Sequence, residues 1–357
     1  MHNVTAALYR VPTDRPEADG TLDWDQTTML LVQVEASGGA RGLGFSFTGP
    51  GADVLVRDQL APAIAQLDED DIGTCWTAMV KQVRNTGRSG LAATAISAVD
   101  VALWDLRAKR RGVPLFRLLP TYRSSVPVYG SGGFTSYTLQ QVIDQLSGWV
   151  KDDGMRRVKM KIGTRVETDV DRILAVREAI GSDARLMLDA NGRYSAKEAI
   201  TLALRVAEET EYFEEPVSSD DLEQMALVRR SVTQQVAAGE YGYDPWYFER
   251  MLRAQAVDIL QADATRCLGI TGFVMAGHLA YAAQVGFSAH TAPSIHAHAG
   301  CGVPQLCHVE YFHDHARLED LLFEGVLRPE RGELRPDSGR PGLGIALKAG
   351  AEDYRAG

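Results

Sequence analysis

Along the first third of the chain, apolar and polar positions alternate in three short runs, at 4–11, 28–34 and 42–47. These runs are rich in β-branched residues and bounded by glycine, which predicts an antiparallel meander. The period then changes to helical, over 53–67, 75–84 and 90–111, and the last of these carries Ile96, Val99, Leu103 and Leu106 on one face. Between the first two strands the segment 14–25 is dense in charge, proline and glycine and is expected to be a mobile loop.

From residue 126 short apolar strands recur at regular intervals with amphipathic helical stretches between them. The expected strands lie at 126–129, 157–162, 185–188, 212–214, 235–238, 257–261, 287–289 and 309–312. Eight strands alternating with helices are the signature of a parallel (β/α)8 barrel, and about 200 residues make a compact one. The expected fold is therefore α/β: an α+β capping domain over 1–125, a TIM-like barrel over 126–325, and a tail over 326–357. The tail carries Pro329, Pro336 and Pro341 and is expected to pack back on the cap.

In such a barrel the residues at the C-terminal strand ends converge on one mouth. The expected second strand ends with Lys159 and Lys161, the third with Asp189 and Asn191, the fourth with Glu214 and Glu215. The fifth supplies Glu240, the sixth Asp263, the seventh His290 and the eighth Glu310. Asp189, Glu214 and Glu240, spaced 25 and 26 residues apart, would repel one another unless a cation lay between them. An all-oxygen set suits a hard ion such as Mg²⁺. The alternative for each alone is a helix cap. Glu215 neighbours Glu214 and should point to the other face of its strand.

Lys159 and Lys161 flank one residue, so both project into the barrel, where two close ammonium groups should lower each other's pKa and make one a usable base. Asp263 and His290 end neighbouring strands, and a carboxylate on one imidazole nitrogen leaves the other free to exchange a proton. Lys161 and His290 would then approach a substrate from opposite faces, as abstraction of a proton next to a carboxylate requires.

These residues carry a resemblance. Lys159-Met160-Lys161, Leu188-Asp189-Ala190-Asn191, Phe213-Glu214-Glu215-Pro216, Ala238-Gly239-Glu240, Asp263 followed by Gly269-Ile270-Thr271, Ala289-His290 and Val309-Glu310 together resemble the enolase superfamily. Within it they resemble the mandelate racemase subgroup, as does the helix sequence from Ala98 to Asp105. The resemblance implies Mg²⁺ on Asp189, Glu214 and Glu240, with Lys161 and the His290/Asp263 dyad as acid/base pair. It further implies that Lys159 assists Lys161 and that Glu310 hydrogen-bonds the substrate carboxylate. A Lys or His base acting with Mg²⁺ on an enediolate belongs to that family and is inherited from the resemblance. One departure stands out. The family carries two adjacent glycines after strand six, whereas Cys267-Leu268-Gly269 places Leu268 at the first, which should reshape that edge of the site.

Composition sharpens the picture in a few places. With 45% hydrophobic and 24% charged residues among 357, the chain has the proportions of a globular protein. The net charge of −10, with dispersed Lys and Arg, argues against nucleic acid as a partner. No apolar run approaches a membrane span and the start shows no export signal, so a cytoplasmic protein is expected, without a membrane partner and, as is general for soluble enzymes, as a homo-oligomer. Cys75, Cys267, Cys301 and Cys307 lack metal or disulfide spacing and are expected to be reduced thiols. His296 and His298 invite a zinc-hydrolase reading but are expected in a loop after strand seven. Gly42, Gly44 and Gly130 to Gly133 lack a dinucleotide fingerprint and are expected at turns or strand ends. Trp24 is expected either to close over the substrate or to pack on the meander.

The expected activity is Mg²⁺-dependent removal of the proton α to a carboxylate. Its first form is dehydration of a sugar acid, aldonate or aldarate, to a 2-keto-3-deoxy acid. Racemisation or epimerisation of a 2-substituted acid is the alternative, and a non-catalytic scaffold the third reading.

Overall fold

The computed structural model describes residues 3–356. Strands β1 (Asn3–Ala18), β2 (Asp23–Glu35) and β3 (Arg41–Phe47) form the expected antiparallel meander. The segment 14–25, however, is not a loop. After a register shift between Pro12 and Glu17 the first two strands continue as a ribbon, with Glu17 opposite Trp24 and Ala18 opposite Asp23. Prolines are tolerated there because β1 is an edge strand, with no partner awaiting their missing N–H groups. The Asp19 carboxylate closes the turn by accepting hydrogen bonds from the Leu22 N–H at 2.8 Å and the Thr21 hydroxyl at 2.9 Å. Barrel groups hold the ribbon: the Thr135 N–H donates to Ala18 O (2.8 Å), and Arg317 donates to Pro12 O (2.6 Å).

The helix Leu91–Arg110 organises the cap. Gly42 and Gly44 lie within β3 rather than at turns, because a Cβ there would stand 2.1 Å from Ala102 O and 2.2 Å from Ala98 O of that helix. Leaving out those side chains lets the helix seat directly on the sheet. One carboxylate then ties three segments together. Asp105 accepts from the Leu43 N–H and the Leu343 N–H, each at 2.7 Å, and pairs with Lys109. The predicted helix 53–67 is helical over Ala52–Leu55 and Ala61–Ile64, with a wider turn at Val56–Leu60 just before Pro62, which has no N–H to continue the ladder.

All eight predicted barrel strands are present: β4 (Val126–Gly132), β5 (Arg157–Lys161), β6 (Arg185–Asp189), β7 (Thr210–Glu214), β8 (Gln235–Ala238), β9 (Ile259–Ala262), β10 (Gly286–Ala289) and β11 (Leu306–Phe312). They pair in parallel in chain order, and β11 closes on β4 from Val309↔Val128 to Phe312↔Ser131. Covered on both faces, such strands read as continuous apolar runs. The tail touches both bodies. Leu334 pairs with Val126 of the barrel, whereas Gly342 O accepts from the Leu115 N–H and Arg355 bridges to Tyr9 of the cap. No helix among the described residues is long and apolar enough to cross a membrane.

Candidate active site at the barrel mouth

Parallel strands deliver their C-terminal ends to one rim, and register decides which side chains meet there. Lys161 is paired with Asp189, and Asp189 with Glu214, so these residues share one layer. Lys159 sits one layer deeper and is wholly buried. Its Nζ lies 2.7 Å from Glu310 Oε1, 2.8 Å from Glu214 Oε2 and 3.3 Å from Asp189 Oδ2, and it donates to the Tyr129 hydroxyl at 3.3 Å. Lys161 Nζ lies 2.6 Å from Asp189 Oδ2.

Asp189, Glu214 and Glu240 each offer a carboxylate oxygen within 4.8 Å of the others, all three buried. Glu214 Oε1 has no hydrogen-bond partner among the described residues, and Glu240 Oε2, though 3.1 Å from His290 Nε2, is not in hydrogen-bonding geometry with it. Burial pushes the Glu214 carboxyl up to about 8; Lys159 opposes this, while Asp189, Glu310 and Glu240 add to it. Three clustered carboxylates with unpartnered oxygens fit a hard divalent cation by number, charge and donor type.

The expected depression of the lysines does not occur. Burial alone would lower both, but Glu214 and Glu310 around Lys159, and Asp189 beside Lys161, outweigh it and hold both ammonium groups above their ordinary value. Four carboxylates, Asp189, Glu214, Glu240 and Glu310, outweigh the one like charge on which the expected depression rests.

His290 Nδ1 lies 2.9 Å from Asp263 Oδ2, so the expected dyad is formed and Nε2 faces the mouth. Burial pulls this imidazole down, yet Glu240, Glu310 and the Asp263 hydrogen bond push it up to about 10 against the opposing Arg266. Glu310 is buried and held down to about 2, because Lys159, His290 and Lys161 outweigh its desolvation; it also accepts from the Thr291 N–H at 3.1 Å. Glu215 lies just past the strand and outside the three-carboxylate group. The chain leaves the strand at Glu214, Glu215 takes φ +37°, and its buried carboxyl is raised by desolvation and by Glu240 and Asp189.

Above these groups lies a cavity of ≈ 470 Å³ lined by Lys161, Asn191, Glu240 and His290 from the barrel and by Trp24 from the ribbon. Asn191, at φ +45°, donates its N–H to Asp189 Oδ1 at 3.0 Å. Trp24 is fixed by its indole N–H to Glu17 (3.0 Å) and by an edge contact on Phe134, and it faces the cavity from there. Lys159, Asp189, Glu214, Asp263 and Glu310 form the floor and support beneath.

Arg266, Gln26 and Thr27, absent from the expected site, also line the cavity, as does His315. Arg266 alone carried a signal, lying three residues beyond Asp263. Its side chain donates to Glu240 O at 3.1 Å. His296 and His298 are in the helix Pro293–Ala299, not a loop, and both are buried. His296 accepts from the Ala264 N–H at 2.9 Å and pairs with Thr291 O at 2.7 Å; His298 accepts from the Phe116 N–H (3.3 Å) and pairs with Leu343 O (3.2 Å). With both nitrogens engaged, neither histidine is available as a ligand. Leu268 adopts the left-handed conformation itself (φ +70°). Its side chain is buried in the cap's core and its carbonyl accepts from the Trp76 indole at 2.9 Å, so it faces away from the cavity rather than reshaping it. The adjoining turn is clamped by the helix Leu91–Arg110. Ser97 accepts from the Gly269 N–H, Asp100 accepts from both Thr271 donors, and Trp104 donates to the Thr271 hydroxyl.

Comparison with known proteins agrees with this geometry. Residues 4–120 match the mandelate racemase/muconate lactonizing enzyme N-terminal domain and residues 141–351 the enolase C-terminal domain-like family. A solved mandelate racemase/muconate lactonizing enzyme-like protein from Rubrobacter xylanophilus superposes with a TM-score of 0.96 at 48% identity, covering 99% of each chain. A racemase from Streptomyces coelicolor with bound magnesium superposes with a TM-score of 0.94 at 29% identity over 99% of both. Arabinonate dehydratase of Saccharolobus solfataricus is 31% identical over 340 residues, 92% of this chain and 90% of its own.

Proposed function

The chain belongs to the mandelate racemase/muconate lactonizing enzyme family, and from that premise we propose that it is a Mg²⁺-dependent sugar-acid dehydratase. The observation that carries the proposal is that Lys161 and His290 face one cavity whose floor is the Asp189, Glu214 and Glu240 cluster. Those three carboxylates would hold Mg²⁺, which, when bound, supplies positive charge against the negative charge that develops on the substrate carboxylate as its α-proton leaves.

Lys161 takes the α-proton on one face. It can do so only as the neutral amine: paired with Asp189 it is an ammonium with no lone pair and must first give a proton to solvent, which is easier once Asp189 shares its charge with another cation. The Lys159 ammonium, held at 2.7 Å by Glu310, orients the substrate carboxylate from below; Glu310, held ionised, can accept from a substrate hydroxyl but cannot donate to the carboxylate as the resemblance implies. His290, its Nδ1–H held by Asp263 and its Nε2–H directed at the cavity, gives a proton to the β-hydroxyl, which departs as water. The enol left behind tautomerises to the 2-keto-3-deoxy acid. Hydrogen-bonding groups from Asn191, Gln26 and Thr27 around the cavity suit a polyhydroxylated chain better than an aryl one.

Racemisation is the second reading. It is favoured by the magnesium-bound racemase among the structural neighbours and by the same two-sided placement, which can return the proton to the other face. Incubation with a panel of aldonic and aldaric acids in D₂O with Mg²⁺ separates the two. A keto acid supports dehydration, an isomer with α-deuterium supports racemisation, and no exchange with any acid rejects both.

A further inference from the structure

We propose that Asp14, Glu17 and His313 form a second divalent-cation site, for a transition metal such as Zn²⁺, that clasps the cap ribbon to the barrel. Each offers one ligand atom within 4.8 Å of the other two. Three apart on a regular strand, Asp14 and Glu17 would face opposite ways; the register shift between Pro12 and Glu17 brings them together. His313, the residue after β11, completes the group, with Nε2 3.2 Å from both Asp14 oxygens.

The observation that points to a ligand is Glu17. Its side chain is fully buried, and while Oε2 accepts the Trp24 indole N–H, Oε1 has no partner among the described residues. A buried carboxylate oxygen without a partner is costly, and no cationic side chain among the described residues is hydrogen-bonded to it. Arg317 spends its Nη2 on Asp314 (2.9 Å) and Pro12 O while its Nε has no partner among the described residues, and Arg15 lies over the Tyr137 ring. One imidazole with two carboxylates suits Zn²⁺ or its first-row neighbours rather than Mg²⁺. Asp14 is exposed and free to rotate inward, closing the group to the roughly 3.4 Å expected between ligand atoms about 2.1 Å from one tetrahedral ion. Because the carboxylate that would hold the ion also holds Trp24, and Trp24 lines the cavity, the ion would fix the part of the cap that overhangs the mouth.

The test is calorimetric titration of Zn²⁺ into the full-length, chelator-treated protein at saturating Mg²⁺, with hydrogen exchange of residues 14–25 as a second readout. Wild type should take one equivalent of Zn²⁺ and exchange more slowly over the ribbon when it is bound. His313→Ala and Glu17→Gln should bind at least tenfold more weakly and show no slowing, whereas Glu240→Gln should keep the site. His313 is partly exposed, so its variant reports even if Glu17→Gln fails to fold. Failure of wild type to bind, undiminished binding by His313→Ala, or loss in Glu240→Gln alone would each overturn the proposal.

Discussion

Lys159, under the mouth, is enclosed by Glu214, Glu310 and Asp189, whereas Gln26, on the ribbon above, is exposed. Both belong to the same site. The floor is built from ionisable side chains on a closed parallel sheet, where every strand is held on two sides and register fixes which groups meet. The ribbon is a two-stranded projection whose position depends on a few contacts to barrel groups such as Thr135 and Arg317. A closed ladder can hold charges that would otherwise drive it apart, and the proposed function places the chemistry there. A tethered ribbon can change its residues without disturbing the sheet, and the proposed function would place selectivity there.

The largest effects should come from the floor. Lys161→Ala and His290→Asn should each lower product formation by roughly 10³-fold, the scale of a lost acid or base, with unchanged circular dichroism. A comparable loss from Gln26→Ala would erase the distinction between floor and ribbon. Next comes acid stability. Burial and loss of solvation hold the His298 imidazole at about 4, against 6.5 when free. Between those values the unfolded chain binds a proton that the folded chain does not, so stability is complete above pH 6.5 and falls as pH drops through 4, by roughly 3 kcal/mol in the limit. Denaturant titrations at pH 7 and 4.5 read this, and His298→Gln should shrink the difference, leaving the share of other buried imidazoles such as His308, held at about 3.

Mg²⁺ at a hundred times its dissociation constant should stabilise the wild type by about 2.7 kcal/mol. Asp189→Asn and Glu240→Gln should lose that gain in a thermal melt. In the cap, Gly44→Val drives a side chain into Ala98 O and should cost roughly 1–3 kcal/mol of stability, while folded enzyme keeps its kcat. The smallest effect is expected at Gln26→Ala, a KM rise of roughly fivefold for about 1 kcal/mol of lost hydrogen bonding, with kcat nearly unchanged.

The same contrast explains what could be read from the chain. The eight barrel strands and the ionisable residues at their ends were legible, because alternating βα texture carries its own register and Lys159, Asp189, Glu214, Glu240, Asp263, His290 and Glu310 follow from it. The ribbon was not. Local proline and charge at 14–25 signal a loop, and only the distant Thr135 and Arg317 show that it is a tethered strand pair. Leu268 looked like a change to the site, but its direction is set by Trp76 and the cap core, almost two hundred residues upstream. The lysines were misjudged because their pKa depends on a count of neighbours that only the closed barrel supplies.

The central claim is the division of labour between Lys161 and His290. It is tested most directly by α-deuterium incorporation, measured by NMR in D₂O with Mg²⁺ on the acid that the wild type turns over. The account predicts that His290→Asn still exchanges the α-proton while forming no keto acid, and that Lys161→Ala does neither. Exchange and dehydration by Lys161→Ala at the wild-type rate would contradict it.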